Sequence, residues 1–132
     1  MKKLILICLS TALLAGCFEE KEKFQVAVFE ELKNDQDIKD YALDPGEMSQ
    51  CVVDIASKHM PGFFAYDPQR EPFYAGYTKL IKLKSAENPK DVLAELREIF
   101  GPGDAVTKAQ LNYSESVFAC FQNLVSKTDP DA

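Results

Sequence analysis

The sequence predicts an all-α fold, namely a compact bundle of four or five helices with one disulfide between two of them. Apolar residues recur at three- and four-residue spacing along most of the chain, and short connections join the segments that carry them. Two cysteines lie on the apolar stripes of two different segments. The chain has 132 residues, 46% hydrophobic and 27% charged, which is the size and balance of one globular domain.

The first helix is predicted over residues 24–42. Phe24, Val28 and Leu32 recur at four-residue spacing, and the apolar stripe resumes after the polar stretch 34–37. Because this stretch, Asn-Asp-Gln-Asp, interrupts the stripe, it marks the point at which the helix would break or bend.

The second helix begins with the clearest capping sequence in the chain. Asp44 suits the N-cap, Pro45 suits the first helical position, and Glu47 follows three residues after the cap. The apolar face that follows contains Cys51 near its middle. The Pro-Gly pair at 61–62 ends the helix.

Three further helices are predicted after the loop that follows. The segment from Phe73 has helical spacing, and we prefer a helix there because no second strand is visible to pair with it. The pair Asn-Pro at 88–89 begins the next helix, and Gly-Pro-Gly at 101–103 ends it. Asp104 can cap the last helix, whose apolar stripe includes Cys120.

The N-terminal segment has the order of a secretion signal. Lys2 and Lys3 precede an uncharged run over residues 4–16. A membrane-spanning helix needs about 20 apolar residues, so this run is too short to span. The run ends in Leu-Ala-Gly-Cys at 14–17, which resembles the lipobox of bacterial lipoprotein precursors.

The resemblance implies that residues 1–16 are removed as a signal peptide and that Cys17 carries the acyl chains, including palmitate. Two or three chains anchor a protein firmly, at about 0.8 kcal/mol per buried CH₂. Phe18 follows the cysteine, which is similar to the sorting pattern of outer-membrane lipoproteins. The expected divisions are the lipidated cysteine with a short tether at 17–23, a periplasm-facing helical domain at 24–127 and a frayed tail at 128–132.

The remaining cysteines predict a disulfide. Cys8 leaves with the signal and Cys17 is consumed by lipid, so Cys51 and Cys120 remain in an oxidising compartment. Their spacing is not the Cys-x-x-Cys of redox-active pairs, and a zinc site would need two more ligands. Because both lie on apolar stripes, they can meet if their helices pack.

Composition and charge exclude several function classes. The formal charge of −6, which becomes −8 without Lys2 and Lys3, argues against nucleic-acid binding and leaves membrane attachment to the acyl chains. His59 is the only histidine, and its place at the end of the second helix is explained by a structural role. No nucleophile motif, phosphate loop or calcium loop is present. We therefore predict a non-enzymatic protein without metal or cofactor.

The connection at residues 61–72 is rich in proline and aromatic residues. One interpretation is that the aromatics cap the bundle, and the other is that they form a recognition surface. A mixed arrangement, which we predict, has Phe63 or Phe64 pinning the loop to the bundle and three residues exposed to a partner. These predicted partner-binding residues are Tyr66, Arg70 and Tyr74.

The function predicted from these features is a non-catalytic protein-binding module, anchored at a membrane and recognising an unidentified envelope protein. The alternative is a carrier of a small ligand or lipid, whose bundle would enclose an apolar cavity. A solid core with an exposed aromatic patch would favour the module, and an enclosed pocket would favour the carrier.

Cys17→Ser should abolish lipid attachment, because the acylated thiol is the one at the cleavage site. In cells fed labelled palmitate, the wild-type chain should carry label. The variant should accumulate without label, as an uncleaved precursor or a soluble product. Equal labelling of both chains would show that the anchor is assigned to the wrong residue.

Overall fold

A computed structural model describes residues 16–128 of the chain, with side chains from residue 19 onward. This part contains six α-helices and no strand, so the predicted all-α bundle is confirmed. Residues 1–15 of the predicted signal peptide and residues 129–132 of the predicted tail lie outside the described part. The helices are α1 (Gly16–Leu32), α2 (Gln36–Asp40), α3 (Pro45–Ala56), α4 (Glu71–Lys82), α5 (Pro89–Phe100) and α6 (Ala105–Thr128).

Helix α1 is the element around which the bundle is arranged. It packs along both α3 and α4, while α3 also packs against α6 and α4 against α5. Its residue Phe24 is fully buried, and the centroid of its ring lies 5.3 Å from the centroid of the Tyr77 ring. None of the helices in residues 16–128 is both long and apolar enough to cross a membrane.

The predicted helix over residues 24–42 is in fact two helices, which raises the count to six. The chain leaves the helical path after Leu32, and the side chain of Asp35 caps α2 by accepting hydrogen bonds from the amides of Asp37 and Ile38. Ile38 is buried, so the short α2 still contributes to the core. The polar stretch therefore breaks the helix because its aspartate supplies a new cap.

The helix also begins earlier than predicted. Residues 17–23 belong to α1 and are not an extended tether. The charged side chains there pair along the helix, since the Lys23 ammonium lies 2.8 Å from the Glu19 carboxylate and 2.9 Å from that of Glu20. Such pairs at three- and four-residue spacing stabilise a helix rather than a linker. Cys17 therefore directly adjoins the folded domain.

The predicted start of α3 and both predicted ends of α5 are confirmed, whereas α3 ends at Ala56, before the predicted stop at 61–62, and a 3₁₀ turn follows over Ser57–His59. The Asp44 carboxylate accepts a hydrogen bond from the Glu47 amide at 2.8 Å, and Pro45 is the first residue of α3. Helix α5 ends at Gly101, whose φ of 115° favours glycine. Gly76 lets α4 and α5 approach closely, because a Cβ there would lie 2.9 Å from a methyl carbon of Ile99.

The predicted disulfide is present and joins α3 to α6. The Cα atoms of Cys51 and Cys120 are 5.8 Å apart, and 69 positions separate the two residues in the chain. Cys120 is fully buried and Cys51 is half-buried against the core. The bond thus covalently links two helices that already pack together.

Reduction of the Cys51–Cys120 bond should lower the free energy of unfolding by about 4 kcal/mol on the chain-entropy model, because the bond restricts a long loop of the unfolded chain. Urea unfolding with and without reductant measures this change. A Cys51→Ala/Cys120→Ala variant is the control and should not respond to reductant. If reductant leaves the urea midpoint of the wild type unchanged, the prediction is wrong.

Candidate functional site: an aromatic loop and an acid-rimmed groove

The connection between α3 and α4 exposes its aromatic side chains. We call residues 61–70 the aromatic loop. Phe63 is 97% exposed, Phe64 is 60% exposed and Tyr66 is 45% exposed. The prediction that Phe63 or Phe64 pins the loop to the bundle is therefore wrong, whereas Tyr66 is exposed as predicted.

The buried side of the aromatic loop is polar. Arg70 is only 9% exposed, and its guanidinium donates hydrogen bonds to the carbonyl oxygens of Pro61 at 3.0 Å and Gly62 at 3.2 Å. The prediction that Arg70 faces a partner is wrong for a physical reason. The turns of the loop leave carbonyl groups without backbone partners, and the fixed fork of an arginine can satisfy two of them at once.

Asp67 supports the loop from the same side. It is 8% exposed, and its carboxylate accepts hydrogen bonds from the amides of Phe63 at 3.1 Å and Gln69 at 3.0 Å. It thereby caps the 3₁₀ turn Pro68–Arg70. The sequence held a signal for this role that we did not use, because Asp67-Pro68 repeats the Asp-Pro start of α3.

Tyr74 is also buried, at 1% exposure, so its assignment to a partner surface is wrong. Its ring packs in the core, with its centroid 6.2 Å from that of Phe24. Its hydroxyl donates a hydrogen bond to the carbonyl oxygen of Ala65 at 2.9 Å. A tyrosine can bury its ring and still satisfy its hydroxyl in this way, and here the partner is the aromatic loop.

Gly62 helps to fix the backbone conformation of the aromatic loop. Its φ of +88° is one that other residues rarely adopt, and a Cβ there would lie 2.5 Å from the carboxyl carbon of Asp67. Prolines at 61 and 68 restrict the backbone further. The outward position of the aromatic side chains thus follows from a loop whose conformation is defined by its own residues.

The aromatic loop lies beside the beginning of α1. The Lys21 ammonium is 4.9 Å from the centroid of the Tyr66 ring, within the range of a cation–π contact. Lys21 follows Cys17 by four residues in the same helix. Four residues rise about 6 Å along a helix axis, so the loop is about one turn from the proposed attachment point.

Charge is distributed unevenly along the bundle. Residues 59–66, which include the exposed part of the loop, contain no Asp, Glu, Lys or Arg. Residues 30–47, at the other end of α1, contain seven acidic side chains and two lysines, and all seven acidic residues are exposed. Residues 19–23, beside the loop, add three glutamates and two lysines, so the end that holds the aromatic loop carries less net negative charge than the opposite end.

A groove of about 550 Å³ runs between α1 and α4. Val26, Ala27 and Ile81 line it with apolar atoms, and Val26 is 59% exposed. Four glutamates and two lysines also line it, and we call it the acid-rimmed groove. They are Glu19, Glu22, Glu30, Glu31, Lys23 and Lys82.

The rim of the groove contains twice as many glutamates as lysines. A hydrogen bond from Lys23 holds the pKa of Glu19 below its ordinary value. Glu31 accepts a hydrogen bond from the hydroxyl of Tyr113, whose pKa is raised first by burial and then by this bond. Tyr113 therefore stays neutral at physiological pH, and the rim presents more negative than positive charge.

The described residues contain little that suggests catalysis. No group of three His, Cys, Asp or Glu side chains between residues 19 and 128 is arranged to hold a metal ion. His59 is exposed at the end of the 3₁₀ turn Ser57–His59 and borders a separate open groove of about 480 Å³. Burial raises the pKa of the Tyr77 hydroxyl, which accepts a hydrogen bond from the Asn112 amide.

Comparisons with known proteins gave no match, since no family model, no curated protein and no solved structure is significantly similar to the chain. Function is therefore inferred from the geometry of the two surfaces.

Asp67→Ala should lower the free energy of unfolding by about 1–3 kcal/mol, because two partly buried amides lose their acceptor. Phe63→Ser should change it by about 0.5 kcal/mol or less, because the ring makes few contacts with the fold. Urea unfolding of both variants beside the wild type tests this order. A larger loss of unfolding free energy for Phe63→Ser than for Asp67→Ala would mean that the aromatic side chains, not Asp67, stabilise the loop.

Proposed function

We propose that this chain is a membrane-anchored, non-catalytic module that binds an envelope protein. The anchor is the acylated Cys17 that the lipobox resemblance implies, facing the periplasm from the outer membrane. The proposal is supported by the position of Cys17 in the first turn of α1, which leaves no flexible linker between the attachment point and the helical domain. A partner would therefore meet the module close to the membrane surface.

The observation that carries the protein-binding proposal is the acid-rimmed groove. Val26 presents an apolar side chain to solvent in the middle of a helix that is otherwise packed against two neighbours. Two closely packed helices, α1 and α4, form its walls, so the groove exists before any partner arrives. Preformed apolar grooves between helices are common docking sites for amphipathic segments.

The chemistry of the groove defines the kind of partner. An amphipathic segment could place apolar side chains against Val26 and Ile81, while Lys or Arg residues beside them meet the rim glutamates. Complementary charge would speed the encounter and set the orientation of the segment. The groove replaces the surface predicted from Arg70 and Tyr74, because those two side chains are buried.

The carrier alternative gains no support from the cavities found. A carrier would enclose its ligand, whereas the acid-rimmed groove and the groove beside His59 both open to solvent. Core positions such as Phe24, Met48 and Leu96 are filled by fully buried side chains. These observations favour a solid domain that acts through its surface.

A photo-crosslinking residue at position 26 should capture a protein partner in cells. The matched control is position 118, because Phe118 is 61% exposed, close to the 59% of Val26, and lies on α6 away from the groove. We expect a distinct crosslinked product from position 26 and little from position 118. Equal capture at both positions, or no capture at position 26, would remove the groove as the partner surface.

Reversing one rim charge tests the proposed partner chemistry. Glu22→Lys should reduce capture from position 26 at least about fivefold, because it places a cation where the partner is expected to carry one. Asp91→Lys, at an exposed position outside the groove, makes the same charge change and should have little effect. If both substitutions reduce capture equally, net charge rather than the groove governs binding.

A further inference from the structure

We propose that the aromatic loop inserts Phe63 and Phe64 into the surface of the bilayer that holds the acyl chains of Cys17. This inference rests on the membrane anchor of the proposed function and adds a second contact that the anchor alone does not supply. An acyl chain is a flexible attachment, so by itself it leaves the domain free to rotate. A second contact at the same end would fix which side of the domain faces the periplasm.

The first support is position. Tyr66 of the loop is in contact with Lys21 of α1, and Cys17 precedes Lys21 by one helical turn. A bilayer surface at Cys17 therefore lies at the same end of the bundle as the exposed phenylalanines. No long segment has to bend for both to reach the same surface, because residues 17–23 are helical.

The second support is the chemistry of the exposed residues. Phe63 and Phe64 are adjacent, strongly exposed and flanked by uncharged residues throughout 59–66. Exposed apolar side chains are stabilised by removal from water, and aromatic side chains are favoured at the boundary of a membrane. The amphipathic ring of Tyr66, with Lys21 over its face, suits the level of the polar headgroups.

The third support is that the aromatic loop has its polar side chains buried and its aromatic side chains exposed. A backbone that approaches hydrocarbon needs partners for its polar groups, since lipid supplies none. Here the carbonyl oxygens of Pro61 and Gly62 are bonded to Arg70, and that of Ala65 is bonded to Tyr74. Asp67 satisfies two backbone groups of the phenylalanines. Its carboxylate accepts a hydrogen bond from the Phe63 amide, and its own amide donates one to the Phe64 carbonyl oxygen.

The charge distribution favours the same orientation. Bacterial leaflets that contain anionic lipids repel an acidic surface and tolerate a neutral one. At the loop end, residues 59–66 carry no acidic residue and residues 19–23 carry three glutamates against two lysines, whereas residues 30–47 expose seven acidic residues against two lysines. With the loop on the bilayer, residues 30–47 point away, and the part of the acid-rimmed groove at Glu30 and Glu31 stays open to a partner.

Fluorescence in vesicles tests the insertion directly. The mature lipidated protein, carrying Phe63→Cys labelled with an environment-sensitive dye, is reconstituted into vesicles of phosphatidylethanolamine and phosphatidylglycerol. Phe118→Cys, labelled in the same way, is the control because Phe118 is also an exposed phenylalanine and lies on α6, outside the aromatic loop. We expect lipids that carry a quencher in the upper acyl chain to quench the dye at position 63 and to leave the dye at position 118 unchanged.

Transfer between membranes provides a test without dyes. The lipidated Phe63→Ser/Phe64→Ser variant should move from donor to acceptor vesicles about tenfold faster or more than the wild type, because two apolar side chains no longer hold it. Phe118→Ser should transfer at the wild-type rate. Equal transfer rates for the wild type and the double variant would overturn the proposal.

The outcomes separate this inference from the proposed function. Palmitate labelling of Cys17 together with an unquenched dye at position 63 would leave the anchor standing and overturn the insertion. Absence of palmitate would remove the anchor and the insertion with it, while capture from position 26 would still report on the groove. A protein crosslinked from position 63, with the dye unquenched, would assign the aromatic loop to a protein partner instead.

Discussion

The structure depends on one buried ring. Phe24 of α1 is fully buried, and three tyrosines surround it, with ring centroids at 6.2, 5.3 and 6.5 Å. Each tyrosine sends its hydroxyl out of the core to a different polar group, so the cluster is apolar at its centre and hydrogen-bonded at its edges. The three are Tyr74, Tyr77 and Tyr113, which bond to Ala65, Asn112 and Glu31 respectively.

This cluster links the core to both candidate surfaces. Tyr74 packs near Phe24 and supports the aromatic loop through Ala65, so the position of the loop depends on the core. Tyr113 packs near Phe24 and bonds to Glu31 on the wall of the acid-rimmed groove. Both surfaces are therefore extensions of the same rigid centre and not independent loops. A surface held in this way loses little conformational entropy on binding.

Local signals in the sequence predicted most of the fold. The cap at Asp44 and the stop at Gly101 depend on residues close together in the chain. The disulfide was predictable because each cysteine lies on the apolar face of its own helix. The start of α1 was missed because Glu and Lys at 19–23 resemble a solvated linker. Their stabilising pairs appear only once the segment is helical.

The aromatic loop was misread because hydrophobicity alone does not decide which side of a loop is buried. Phe63 or Phe64 was expected inside and Arg70 outside, whereas the structure exposes both phenylalanines and buries Arg70. The deciding factor is the need of loop carbonyl groups for donors, and that need depends on turn geometry rather than composition. The groove was missed for a different reason, because it forms only when α1 and α4 pack together.

The spacing of Phe24 from its partners along the chain has a consequence for the order of folding. Its nearest ring belongs to Tyr77 and another to Tyr113, so the pocket for Phe24 is incomplete until the last helix is in place. A chain that emerges from its N-terminus can pack α1 against α3 and α4 first, and Tyr113 completes the surroundings of Phe24 only when α6 arrives. Contacts between residues so distant in sequence slow folding. The disulfide lies on the same last helix, so covalent closure also waits for nearly the whole chain.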